Sequence, residues 1–143
     1  MSLLDTIEAL MNARPLGRDV VESQLDVALR GDPNNTNRYI ELLRSFRNAP
    51  GIKAVELRLP LPGAMRKDGM LIVDLDPVAG DPVSGSDVRT RFGDAPEVDV
   101  PLPDHPAGRP HYLSYAKPWG ALRFGFHDPS LGVLSSFVID VER

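Results

Sequence analysis

The spacing of apolar positions changes character near residue 50: before it they recur every three or four residues, and beyond it they alternate. Ser2 followed by Asp5, with Leu3, Leu4, Ile7, Leu10 and Met11 in one stripe, predicts a capped helix that stops before Pro15-Leu16-Gly17. A second helix is expected from Asp19, with Glu22 as its capping partner, carrying Val21, Leu25, Ala28 and Leu29 as far as Gly31. A third is expected after "GDPNNTN", capped by Asn35 or Thr36, with Tyr39, Ile40, Leu43 and Phe46 as its buried stripe and "NAPG" at 48–51 as its end.

Beyond that point "IKAVELRL" (52–59) alternates Val55, Leu57 and Leu59 with Glu56 and Arg58, and "MLIVDLD" (70–76) alternates Leu71, Val73 and Leu75 with Asp74 and Asp76. Both read as strands with one face to a core and one to water, joined by a connection whose best turn signal is Asp68-Gly69. "SGSDVRTRFG" predicts a short helix capped by Ser84 or Ser86, with Val88 and Phe92 four apart and Gly93 closing it. "HYLSYAK", "ALRFGFH" and "LGVLSSFVIDV" read as three further strands joined by "PWG" and "DPS", antiparallel because their connections are too short for crossovers. The expected fold is α+β, with N-terminal helices packed on one face of a mostly antiparallel sheet of about five strands. It forms one domain over 1–143, helical to residue 50 and then hairpin, short helix and meander.

Composition narrows the function classes. The 143 residues include no cysteine, which removes disulfides, thiol catalysis and thiolate metal sites. No apolar run is long enough to span a bilayer, and Asp5 and Glu8 interrupt what a signal peptide would need, so a cytoplasmic protein without a membrane partner is expected. Net charge is −4, and Arg66-Lys67 is the only adjacent basic pair, so no stripe for tracking phosphates is present and nucleic acid is not an expected partner. Residues 94–143 hold seven Asp and Glu against four Lys and Arg, which points to a basic partner.

Candidate chemistry is sparse. His105, His111 and His127 lack the local spacing of a metal site, so neither a metal nor another cofactor is expected. Ser86 in "SGSDV" lacks the second glycine of a nucleophile elbow and fits a helix cap better. Asp74 and Asp76 would share one strand face, where an acid pair serves glycoside hydrolysis or simply keeps the face wet.

Three features are left without a folding role. "DAPEVDVPLPDHPAGRP" (94–110) carries Asp94, Glu97, Asp99 and Asp104 among five prolines, and its apolar alternation suits an extended segment along a sheet edge. Trp119 stands at a turn tip as either a lid folded on the sheet or an interface anchor, with Tyr115 and Arg123 flanking it. Asp74 and Asp76 complete the set, and these nine residues are the expected partner-binding positions, with no catalytic ones.

"GSDVRTRFGDAP" (85–96), "HYLSYAKPWGALRFGF" (111–126) and "GVLSSFVID" (132–140) together resemble the helix-plus-meander modules of BamE-type lipoproteins, β-lactamase-inhibitor proteins and many bacterial toxin-immunity proteins. The lipoproteins depend on a lipid-bearing cysteine that this chain lacks. The resemblance implies a non-catalytic scaffold, most specifically an immunity protein that neutralises a cognate toxin, as in type VI secretion, by covering its active site. A secretion chaperone for an effector is the alternative, and a small hydrolase a more distant one.

Overall fold

The computed structural model describes residues 2–13, 16–34, 36–62, 69–76, 82–93, 97–99, 111–127 and 132–141. Helix α1 (Leu3–Asn12) begins in a capping box. The Ser2 hydroxyl accepts from the Asp5 N–H at 3.2 Å, and the Asp5 carboxylate accepts from the Ser2 N–H at 3.1 Å, so two otherwise orphaned donors are satisfied. Helix α2 (Arg18–Leu25) starts near Asp19 as expected, after Gly17, but with no side-chain cap. It stops at Asp26, which adopts the left-handed conformation (φ 53°, ψ 54°) that short polar side chains tolerate better than others.

That early stop overturns the expected helical half. Instead of running to Gly31, the chain turns into strand β1 (Ala28–Gly31), and the expected third helix is strand β2 (Ile40–Arg47). The polar run before β2 stitches onto it rather than capping a helix. Asn37 Oδ1 accepts from the N–H groups of Tyr39 (2.8 Å) and Ile40 (3.0 Å), Thr36 Oγ1 accepts from Leu42 N–H (3.0 Å), and Asp32 N–H donates to the Leu42 carbonyl (2.8 Å). Leu43 then pairs with Leu57 across the sheet, so long-range pairing overrides a local period that fits a helix as well as a strand. Tyr39 and Phe46, expected inside, are 45% and 57% exposed.

The remaining elements follow the alternation. Strands β3 (Ile52–Pro60) and β4 (Met70–Leu75) precede α3 (Gly85–Phe92), whose Ser84 and Asp87 form a second capping box and whose chain leaves through Gly93 at a φ of 92°. A three-residue strand β5 (Glu97–Asp99), then β6 (His111–Lys117), β7 (Gly120–Phe126) and β8 (Leu134–Val141), complete one antiparallel sheet. Among the described residues its order is β1-β2-β3-β4-β8-β7-β6-β5, seven strands of four or more residues and one short edge strand where about five were expected. The added strands are β1 and β2, read from the sequence as helix, and β5.

Two apolar rows cross the sheet. Val55, Val73, Phe137, Phe124 and Leu113 are register neighbours in one, and Leu43, Leu57, Leu71, Ile139, Leu122 and Tyr115 in the other. Ile7 and Leu10 of α1, Val21 and Leu25 of α2 and Val88 of α3 join the same buried cluster, so the helices lie on one face as expected. Phe92 anchors α3 with ring centroids 5.2 Å from Phe124 and 6.2 Å from Tyr115.

The β1 edge is closed by side chains. Leu29 N–H donates to the Glu22 carboxylate at 2.9 Å and its carbonyl accepts from Arg18 at 2.6 Å. The two α2 side chains thus take the place of a neighbouring strand, one way a sheet edge is protected from further pairing. No helix among the described residues is long and apolar enough to cross a membrane.

Candidate functional site

Opposite the helices, the same register builds rows of a different character. Arg30, Arg44, Glu56, Ile72 and Val138 are successive neighbours across β1, β2, β3, β4 and β8, and Arg123 and Ser114 extend the row on β7 and β6. Leu42 and Val138 are buried on this side without joining the core cluster. On β1–β4 the face is open, with Arg30, Arg44, Phe46, Ala54, Arg58 and Asp74 exposed. On β6–β8 it is closed, with Ser114, Ser136, Val138 and Asp140 only 5–8% exposed.

The open half has the chemistry of a contact surface. Phe46 stands out of the sheet, and the Arg30 guanidinium lies 5.2 Å from its ring centroid, a cation–π geometry that orders both side chains. Arg30 is directly opposite Arg44, an unfavourable like-charge pairing. That repulsion is offset by a chain of ion pairs: Arg44 to Asp32 (2.9 Å), Arg44 to Glu56 (3.2 Å) and Glu56 to Arg58 (2.7 Å). Each exposed pair contributes little to stability, but together they hold the guanidinium groups of Arg44 and Arg58 in place on one surface, beside Arg30 on the Phe46 ring.

The expected binding residues are dispersed. Asp74 lies exposed on the open face, opposite Ala54 and Ser136. Asp76 follows the end of β4, donates its N–H to the Gly51 carbonyl at 2.9 Å and lines a cleft at the sheet's end, so the two acids serve different surfaces. Arg123 is half-buried and bonds the buried Asp140 carboxylate at 3.3 Å. Tyr115 leaves the expected surface altogether: it is 4% exposed, packs edge-on to Phe124 at 6.0 Å and donates its hydroxyl to the Gly93 carbonyl at 2.7 Å. Trp119 is half-buried against the core. The backbones of Glu97 and Asp99 form the edge strand opposite Ser114 and Tyr112, while Asp94 and Asp104, like His105 and the Asp68 turn, lie outside the described residues.

Phe46, Arg30, Arg44 and Arg58 were missed as a surface because β2 reads as a helix with Phe46 buried. The signal that finds them is the cluster of Tyr39, Ile40 and Phe46 between Gly31-Asp32-Pro33 and Pro50-Gly51, which is strand composition between turn residues.

Among the described residues, Asp5, Asp87 and Arg91 titrate away from their ordinary values, where helices are capped and tied. Asp5 is lowered to about 2, chiefly by hydrogen bonding to Arg91 and then by the Ser2 cap. Asp87 is lowered by the Ser84 backbone and hydroxyl, and Arg91 is raised by hydrogen bonds to Asp5 and Glu8. Arg91 therefore ties α3 to α1 through both acids. Among the described residues no three His, Asp or Glu side chains gather to hold a metal ion. His111 is the register partner of Phe126 across β6 and β7, and His127 follows Phe126 in sequence, exposed just past the end of β7.

No protein-family model, no curated protein and no solved structure matches the chain.

Proposed function

We propose that this chain is a non-catalytic binding protein that docks a folded protein partner on the outer face of β1–β4. In its most specific form it is an immunity-type protein that neutralises a bacterial toxin by covering the toxin's active site. The observation that carries the reading is Phe46, an aromatic side chain 57% exposed near the end of β2, next to the edge strand of the sheet, and held in place by Arg30. Aromatic and arginine side chains are the residues enriched at the energetic centres of protein interfaces. The surface also has a useful scale: strands of 4, 8, 9 and 6 residues, at about 3.3 Å per residue and about 4.8 Å apart, present about 430 Å², about half of the roughly 800 Å² each partner contributes to a standard interface.

Sign matters too. Arg30, Arg44 and Arg58 are interspersed with Asp32, Glu56 and Asp74, so the surface is mixed rather than a single-sign field. Such a pattern favours one complementary protein surface over a polyanion, whose binding would rest on uncompensated positive charge.

The test uses the protein that co-purifies with this chain from its native cell, or that the adjoining gene encodes. Phe46→Ser, at an exposed position, leaves the fold intact and weakens the complex by about 2 kcal/mol or more, roughly thirtyfold. Protection from the partner's toxicity falls in parallel. Undiminished binding by Phe46→Ser rejects the surface, and a partner without toxic activity rejects the immunity class. The secretion-chaperone reading is favoured by a different observation, the apolar cleft at the end of the sheet.

A further inference from the structure

That cleft lies between the first turns of α1, helix α3 and the sheet end where β3 begins, β4 ends and β8 begins, and encloses about 730 Å³. Its size falls in the range of roughly 300–1,000 Å³ that holds a specific ligand, and it is open along one side rather than sealed. The floor is apolar: Leu3, Leu4, Ile52 and Val83 are half-buried against the core with part of each side chain left uncovered. Val133 stands on the rim at 38% exposure.

The charged groups in the wall are unequal. Asp76 and Asp87 both line it, and Asp87 is fixed in place by accepting from the Ser84 N–H at 2.9 Å. Arg91 is the one cation in the described lining, and its guanidinium is already bonded to Asp5 and Glu8. A ligand entering the cleft therefore meets an apolar floor and a negative wall whose single positive charge is offset from behind.

We propose that the cleft binds a short extended protein segment in which a lysine or arginine adjoins apolar side chains, the apolar groups seated over Leu3, Ile52 and Val83 and the cation beside Asp76. This surface is separate from the outer face of β1–β4, and the proposal stands independently of what that face binds. Apolar burial supplies affinity, and the carboxylate supplies the sign preference.

The experiment titrates the intact chain with the peptide acetyl-Leu-Lys-Leu-Leu-Lys-Leu-amide, its glutamate-for-lysine and serine-for-leucine counterparts, and decylamine. Methyl NMR shifts of Ile52, Val83 and Val133 report occupancy. The leucine–lysine peptide is expected to bind and to shift those methyls, while the serine–lysine peptide does not. The leucine–glutamate peptide binds more weakly, and Asp76→Asn narrows that preference by about two- to fivefold, the worth of one exposed ion pair. Val133→Ser weakens both leucine peptides, and Phe46→Ser changes neither, which separates failure here from failure of the outer-face reading. Equal binding of the lysine and glutamate peptides, binding by the serine peptide, indifference to Asp76→Asn and Val133→Ser, binding of decylamine alone, or no binding at all overturns the proposal.

Discussion

Replacing Glu22 by alanine removes the acceptor that closes the β1 edge. In the native protein the Glu22 carboxylate accepts from Leu29 N–H at 2.9 Å, and Arg18, 3.5 Å from the same carboxylate, donates to the Leu29 carbonyl at 2.6 Å. A hydrogen bond to a charged group contributes about 1.5–3 kcal/mol, and the 28% exposure of the Glu22 side chain discounts that to about 1–2 kcal/mol. Unfolding entropy near 2.1 cal/mol/K per residue gives about 0.3 kcal/mol/K for this length, so Glu22→Ala should lower Tm by about 3–7 °C. Glu22→Gln keeps a neutral acceptor oxygen and should lose less. The Arg18→Ala, Glu22→Ala double variant leaves both Leu29 backbone groups open, and it should self-associate more strongly with concentration than the parent chain. Calorimetry and sedimentation velocity measure the two effects. A Glu22→Ala variant melting within about 1 °C of the parent, together with unchanged association of the double variant, would refute the idea that side chains stand in for a neighbouring strand.

Other outcomes follow from the same structure. Phe124→Ala opens a cavity beneath Phe92 and Tyr115 and should cost about 3–5 kcal/mol in chemical denaturation, whereas Tyr115→Phe keeps the ring and loses the bond to the Gly93 carbonyl and should cost about 1 kcal/mol. Gly69→Ala puts a Cβ into hard overlap with the Arg58 backbone carbonyl, so the variant should be recovered in poor yield or melt far below the parent. Asp5 and Asp87 are both lowered from an ordinary value of 3.8, Asp5 to about 2, so the stability they add is complete above pH 4 and is lost as pH falls through their folded values. An Asp5→Asn, Asp87→Asn variant should therefore show a flatter stability profile between about pH 4 and pH 2, measured by denaturant midpoints. An unchanged profile would mean that the two caps carry no linkage.

What the sequence shows of this fold depends on whether the signal is local. Ser2 with Asp5 and Ser84 with Asp87 are self-contained caps, and both are formed. The alternation in β3, β4 and β7 is legible because Val55, Leu57, Leu71, Val73, Leu122 and Phe124 each find an apolar neighbour across the ladder. β1 and β2 were not legible, since Leu25, Leu29, Leu43 and Phe46 fit a helical stripe and only pairing with β3 decides against it. The same misreading buried Phe46 and concealed the outer face, while Tyr115 was assigned to a surface because nothing local signals its hydroxyl's bond to Gly93, 22 residues earlier. The cleft joins Leu3, Ile52, Asp76 and Val133 from four separate parts of the chain, which no spacing rule connects.

Amide hydrogen exchange of the chain alone and in complex with its native partner tests the central claim most directly. Exchange should slow on binding across β1 to β3, at Arg30, Arg44 to Arg47 and Ala54 to Arg58, with no change in the Lys117–Gly120 turn around Trp119. Protection confined to that turn and to the β5 edge, with β1–β3 unchanged, would contradict the outer-face site and return the interface to the positions first expected, around Trp119 and the Glu97–Asp99 strand.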